Sequence, residues 1–229
     1  MLGSSASNLV VTARIASVVS CFAVMGFMAM ASTLAGATSP KDARIVFASD
    51  RTTGPGVHNP TGDFEIFTAD SDGKHAKQLT FNTVTDEYPA YSPDGKYLAF
   101  STDRDGEYEV YEMKANGSNP INLTNNPASD REPAYSPNGR RLAFSTNRDG
   151  NYEVYEMKTD GSDQTNLTNN PANDLQSAYS PDGKLIAFTS RRDGPGEIYL
   201  RGPTALIRPT LQTTRGTTTI QPTRTTGGA

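Results

Sequence analysis

An internal repeat limits the folds open to this chain more than any other feature. Residues 92–135 match residues 136–179 at 30 of 44 positions. A unit of that length, returning in tandem, builds an array in which each copy covers its faces with its neighbours. The clearest marker is Ser92-Pro93-Asp94-Gly95, which returns as Ser136-Pro137-Asn138-Gly139 and Ser180-Pro181-Asp182-Gly183. Proline presets φ for the first corner of a type I turn, Asp or Asn suits the next position, and glycine accepts the exit geometry. These twelve residues therefore define turns between strands.

A short apolar strand follows each turn: Leu98-Ala99-Phe100, Leu142-Ala143-Phe144 and Ile186-Ala187-Phe188, with an earlier relative at Ile45-Val46-Phe47. Arg104-Asp105-Gly106, Arg148-Asp149-Gly150 and Arg192-Asp193-Gly194 lead into tyrosine-rich strands such as Tyr108 to Met113 and Tyr152 to Met157. Asn116-Gly117 and Asp160-Gly161 mark hairpins. A third strand ends at Leu123-Thr124 or Leu167-Thr168, and a fourth runs through Pro133-Ala134-Tyr135 to the next Ser-Pro turn. Four antiparallel strands per period, apolar on both faces, give an all-β fold of propeller blades. The expectation is two full blades, about 87–124 and 131–168, flanked by two partial ones.

The run from Ser92 to Gly106, with Tyr108 to Met113, Asn116-Gly117-Ser118, Leu123-Thr124 and Asp130 to Pro133 behind it, closely resembles the TolB-like (WD-repeat-like) β-propeller repeat. The resemblance covers about residues 44–201. It implies a periplasmic or secreted propeller that acts mainly by binding other proteins. The same repeat occurs in propellers attached to prolyl-oligopeptidase-like serine peptidases and in some polysaccharide-acting proteins. The repeat specifies the fold and leaves the partner open.

Three regions depart from the repeat. Phe47 lies 53 residues before Phe100, nine more than the period, and Thr52 to Pro60 accounts for the excess; it reads as a surface insertion. Residues 1–37 read as a signal peptide, with Arg14, an apolar stretch from Ile15 to Ala31 and small residues at Ala35-Gly36-Ala37. Left uncleaved, Ile15 to Ala37 is long enough to anchor the chain in a membrane. The propeller repeats then occupy 38–202.

Residues 203–229 hold 10 threonines and no acid in 27 positions, and they read as a disordered, Thr-rich tail. A second reading is out-of-frame translation beginning near Gly202. Threonine codons read one base earlier spell only Asn, Asp, Tyr or His. Thr204, Thr210, Thr213, Thr214, Thr217, Thr218 and Thr223 stand opposite Asp160, Asn166, Asn169, Asn170, Asn173, Asp174 and Tyr179 one period earlier. A propeller truncated by a frameshift is the resulting expectation.

Composition narrows the function. Between the two ends the chain carries 17 basic and 25 acidic residues, so it presents no basic face for nucleic acid. The only cysteine, Cys21, lies in the signal region, and the only histidines are His58 and His75, in no metal or triad spacing. No Gly-x-Ser-x-Gly occurs. Asp70-Ser71-Asp72-Gly73 begins like a calcium loop but lacks its closing Glu and reads as a hairpin turn. Arg104, Arg148, Arg192, Asp86, Asp130 and Asp174 are candidates for a binding rim, although residues that recur in every blade usually serve the blade itself. The functional expectation is an exported, non-enzymatic protein-binding scaffold without cofactor or metal, whose partner is an envelope protein or a polysaccharide. The alternatives are the propeller of a prolyl-oligopeptidase-like peptidase that has lost its catalytic domain, and a non-functional gene fragment.

Overall fold

The computed structural model describes residues 44–194 and 196–202, together with the strand backbone at 32–33, 206–214 and 217–224. The expected signal segment, apart from residues 32 and 33, lies outside the described residues. Among the described residues no helix is long and apolar enough to cross a membrane.

The strands form four antiparallel sheets in chain order, each a blade. Blade 1 holds β1 (Ser32–Thr33), β2 (Arg44–Ser49), β3 (Glu65–Asp70) and β4 (Lys77–Gln78). Blade 2 holds β5 (Asp86–Tyr91), β6 (Tyr97–Thr102), β7 (Glu109–Lys114) and β8 (Ile121–Asn122). Blade 3 repeats it with β9 (Asp130–Tyr135), β10 (Arg141–Thr146), β11 (Glu153–Lys158) and β12 (Thr165–Asn166). Blade 4 holds β13 (Asp174–Tyr179), β14 (Ile186–Ser190) and β15 (Glu197–Arg201), then β16 (Leu206–Thr214) and β17 (Thr217–Arg224). The propeller architecture and its two full central blades follow the sequence expectation. In the described backbone beyond residue 203, Leu200 pairs with Ile207, and Ile207 to Thr214 pair with Arg224 to Thr217.

Repeated sequence produces repeated register. Tyr97 to Thr102 pair with Lys114 to Glu109, and Arg141 to Thr146 pair with Lys158 to Glu153, residue for residue. The Ser-Pro turns hold as expected. Ser92 Oγ donates to Asp94 Oδ1 at 2.7 Å, accepts from Tyr97 N–H at 3.0 Å, and Gly95 N–H closes on Ser92 O at 2.8 Å. Ser136 and Ser180 repeat the contact to Asn138 and Asp182 at 2.9 and 2.6 Å.

The core lies between blades rather than inside one. Val46 and Ile66 pack with Leu98, Phe100 and Met113 across the first junction. Ala99 and Val110 meet Leu142, Phe144 and Met157 across the second, and Ala143 and Val154 meet Ile186, Phe188 and Tyr199 across the third. Strands sandwiched on both faces have no need of strict polar alternation, which is why Glu109–Lys114 buries four of its six side chains. Each fully buried Phe or Leu contributes about 1.5–3 kcal/mol to this stacking. Gly161 marks how closely blades approach: at φ +83, a Cβ there would stand 2.6 Å from Leu123 O of the preceding blade.

Candidate functional site

The first strand of each central blade packs against the first strand of the next, β5 on β9 and β9 on β13, so these strands form the inner layer of the arc. Each opens with an aspartate. Asp86, Asp130 and Asp174 are fully buried, and each meets the arginine of its own blade. Arg104 Nη2 lies 3.1 Å from Asp86 Oδ1, Arg148 Nη2 lies 3.2 Å from Asp130 Oδ1, and Arg192 Nη2 lies 2.6 Å from Asp174 Oδ2.

The guanidinium of each arginine also lies against two neighbouring aromatic rings. That of Arg104 sits 5.4 Å from the Phe100 ring and 4.6 Å from the Tyr111 ring, while its Nε donates to Thr102 Oγ1 at 3.2 Å. Arg148 repeats this over Phe144 and Tyr155, and Arg192 over Phe188 and Tyr199. Tyr111, Tyr155 and Tyr199 in turn donate their hydroxyls to Asp105, Asp149 and Asp193 of the Arg-Asp-Gly turns. The six rim candidates are thus brought together in three pairs that tie the start of one strand to the turn between two others. A partly desolvated, hydrogen-bonded ion pair stacked on aromatic rings is a structural clamp.

The residues just after each buried aspartate are different in kind. Tyr88, Glu132 and Gln176 occupy one place in successive blades, and all three adopt left-handed backbone, at φ 53, 59 and 58. Each sits at a bulge where the register of the inner strand shifts. The bulge carries bonds between blades. Glu132 N–H donates to Ser101 Oγ at 3.0 Å, and Gln176 N–H donates to Glu132 Oε2 at 2.8 Å and to Ser145 Oγ at 3.3 Å.

A mixed-charge cluster gathers at these bulges. The Arg131 guanidinium lies 3.7 Å from the centre of the Tyr108 ring, and its Nε donates to Ser129 Oγ at 2.9 Å. Burial raises the Glu87 carboxyl, with Arg131 opposing. Burial pushes the Tyr88 hydroxyl up to about 12, reinforced by the charges of Glu87 and Glu132. Burial also raises Glu132, against the hydrogen bonds it accepts from Gln176 N–H and Ser145 Oγ. Half-buried Glu87, Tyr88, Arg131 and Glu132 therefore form a polar surface of fixed shape.

The sequence reading did not single out these residues, yet a signal existed. Positions 131, 132 and 133 are Arg, Glu and Pro, whereas 175, 176 and 177 are Leu, Gln and Ser, a run of mismatches inside a nearly constant repeat. The histidines do not meet: exposed His75 pairs through Nδ1 with half-buried Asp70 at 2.6 Å, while His58 N–H donates to Gln78 Oε1 at 2.7 Å. Asp70 to Gly73 forms the expected turn, with Gly73 N–H on Asp70 O at 2.8 Å. Among the described residues no three His, Cys, Asp or Glu side chains gather as a metal site.

Residues 122–228 match the TolB beta propeller domain family, and no curated protein matches the chain. A solved structure described as TolB from Agrobacterium tumefaciens superposes with a TM-score of 0.61 at 25% identity, over 72% of this chain and 59% of that one. TolB from Acinetobacter baumannii gives 0.64 at 24% identity, over 74% of this chain and 42% of that one. A puromycin-hydrolyzing peptidase from Mycobacterium tuberculosis shares the fold at 15% identity and a TM-score of 0.58, over 84% of this chain and 32% of that one. The chain spans 59% and 42% of the length of the two TolB chains it matches. The Ser-Pro turns, the blade order and that match over residues 122–228 agree: the chain is similar to TolB-like β-propeller repeat proteins and shares their fold.

Proposed function

We propose that this chain is an exported, non-enzymatic scaffold that binds a protein partner, in the periplasm or outside the cell, through the variable bulges of its inner strands. One observation carries the reading. The Asp–Arg clamps repeat in blades 2, 3 and 4, while the residues beside them change from Glu-Tyr to Arg-Glu to Leu-Gln. A constant frame presenting variable, preorganised side chains is the arrangement by which a repeat array recognises one partner. The mixture of Glu87, Arg131 and Glu132 suits a partner segment of mixed charge and disfavours nucleic acid.

The likeness to the peptidase is one of fold at 15% identity and adds no reaction to this reading. The test is chemical cross-linking in envelope extracts with wild type and Arg131→Glu, folding being checked by circular dichroism. A protein captured by wild type and lost from the folded variant supports the reading. Equal capture by both, or capture of polysaccharide alone, refutes it.

A further inference from the structure

In blade 3, Asn151 acts as a donor hub: its Nδ2 lies 3.0 Å from Asn170 O, 2.9 Å from Ala172 O and 3.1 Å from Glu153 Oε1. Asp63 takes the corresponding place in blade 1, two residues before Glu65 as Asn151 is two before Glu153. An ionised carboxylate has no hydrogen to give. Asp63 Oδ2 is buried without a hydrogen-bond partner, and so is Oε2 of Glu65, a side chain with 0% exposure.

Oε1 of Glu65 accepts from Asn82 N–H at 2.8 Å, and a second substitution explains why its Oε2 is left over. Glu109 Oε2 accepts from Asn122 Nδ2 in blade 2. Blade 1 has Gln78 at that place, and the Gln78 amide is directed instead to His58 O at 3.1 Å and Thr80 O at 2.8 Å, where it pins the insertion loop. The loop meanwhile brings further oxygens. Asn59, with 1% exposure, accepts at Oδ1 from Gly62 N–H at 3.0 Å and Thr61 Oγ1 at 3.2 Å, and Thr61 Oγ1 also contacts Asp63 Oδ1. Asp63 and Glu65 form none of the ion pairs found among the described residues.

We propose that the oxygens of Asn59, Thr61, Asp63 and Glu65 bind a divalent cation of the calcium class, at a site that the blade 1 insertion creates and that blades 2 and 3 lack. The carboxylates of buried Glu65 and half-buried Asp63 balance a double charge, and neutral oxygens with water complete the shell of about six to eight ligands that calcium accepts. Magnesium demands near-octahedral geometry and gives up water reluctantly, so it fits an alternating loop of side-chain oxygens less well. Exposed Thr61 leaves a route for the ion to enter.

Calcium chloride is titrated into the full chain by calorimetry, and melting is followed in calcium and in chelator. The expected result is saturable binding with a melting temperature raised by roughly 5–10 °C at a hundredfold excess over Kd, and a smaller rise with magnesium. Asp63→Asn places in blade 1 the amide that blade 3 uses. It is expected to melt above wild type in chelator and to lose the calcium shift. No calcium-dependent shift in wild type up to about 10 mM, above the weak end of known protein sites, overturns the proposal. So does a calcium shift in Asp63→Asn equal to that of wild type.

Discussion

Truncating Asp130 to alanine tests whether the Asp–Arg clamps hold the blades. The Asp130 carboxylate is fully buried and accepts from Arg148 Nη2 at 3.2 Å and from Asn126 Nδ2. Arg148 remains stacked on Phe144 and Tyr155 with 22% of its side chain exposed, so it would keep a charge it can only partly rehydrate. Removing one member of a buried pair costs about 3–5 kcal/mol, and the partial exposure of Arg148 places the expected loss near the lower end. Arg148→Met should cost at least as much, because it leaves the fully buried Asp130 carboxylate with only its Asn126 bond, whereas Arg148 in the aspartate variant keeps its bond to Gln164 Oε1 at 2.6 Å. The double variant should fall short of additivity by about 1–3 kcal/mol, as expected for contacting residues. Urea unfolding followed by tyrosine fluorescence reads all three, since the chain has 10 tyrosines and no tryptophan. As a control, Asp182→Ala removes a carboxylate of the Ser-Pro turn whose side chain is 58% exposed, and should shift the unfolding midpoint far less than Asp130→Ala does. A loss below about 1 kcal/mol for Asp130→Ala, or additivity within about 0.5 kcal/mol, would refute the clamp.

Gly161→Ala should destabilise by about 2 kcal/mol or more, since left-handed backbone alone costs alanine about 1–2 kcal/mol and the new methyl meets Leu123 O at 2.6 Å. Gly150→Ala, also at positive φ but with nothing within 4 Å, should cost only the conformational part; equal losses in urea melts would disprove the close approach. Glu132 provides a pH test. Its carboxyl is raised by burial in the folded protein, so folding binds a proton the unfolded chain has released. Its contribution to stability is therefore complete below its ordinary value and is lost as pH rises through the raised one. Stability measured from pH 4 to 8 should fall less steeply in Glu132→Gln than in wild type, and parallel curves would show that the group is not perturbed.

The architecture was legible in the residues because turn chemistry is local. Ser92 to Gly95 needs only its own side chains to make a turn, and the copies at 136 and 180 repeat it. The clamps were not legible as pairs. Asp86 and Arg104 are 18 positions apart and meet only when β5 folds back on β6. Recurrence favoured a role inside the blade but could not name the partner. The bulges at Tyr88, Glu132 and Gln176 were hidden further, since none of these residues prefers positive φ and only the sheet geometry imposes it. Blade 1 shows how coupled substitutions can be read once the contact is known. Where the insertion replaces the Arg-Asp-Gly turn, Phe67 stands in place of Tyr111 and Gln78 in place of Asn122, the two side chains that would have bonded to the missing aspartate.

The bonds from Glu132 N–H to Ser101 Oγ and from Gln176 N–H to Ser145 Oγ cross the second and third junctions. At the first junction Ala48 stands where Ser101 and Ser145 stand, and it has no hydroxyl to receive Tyr88 N–H. In an array whose stability is a sum over neighbouring interfaces, one missing crosslink gives the series a direction. The first junction is then expected to open before the other two, held by its apolar packing and by the Thr68 Oγ1 to Tyr91 hydroxyl bond at 2.9 Å but without the bulge bond that ties blades 2, 3 and 4 to one another.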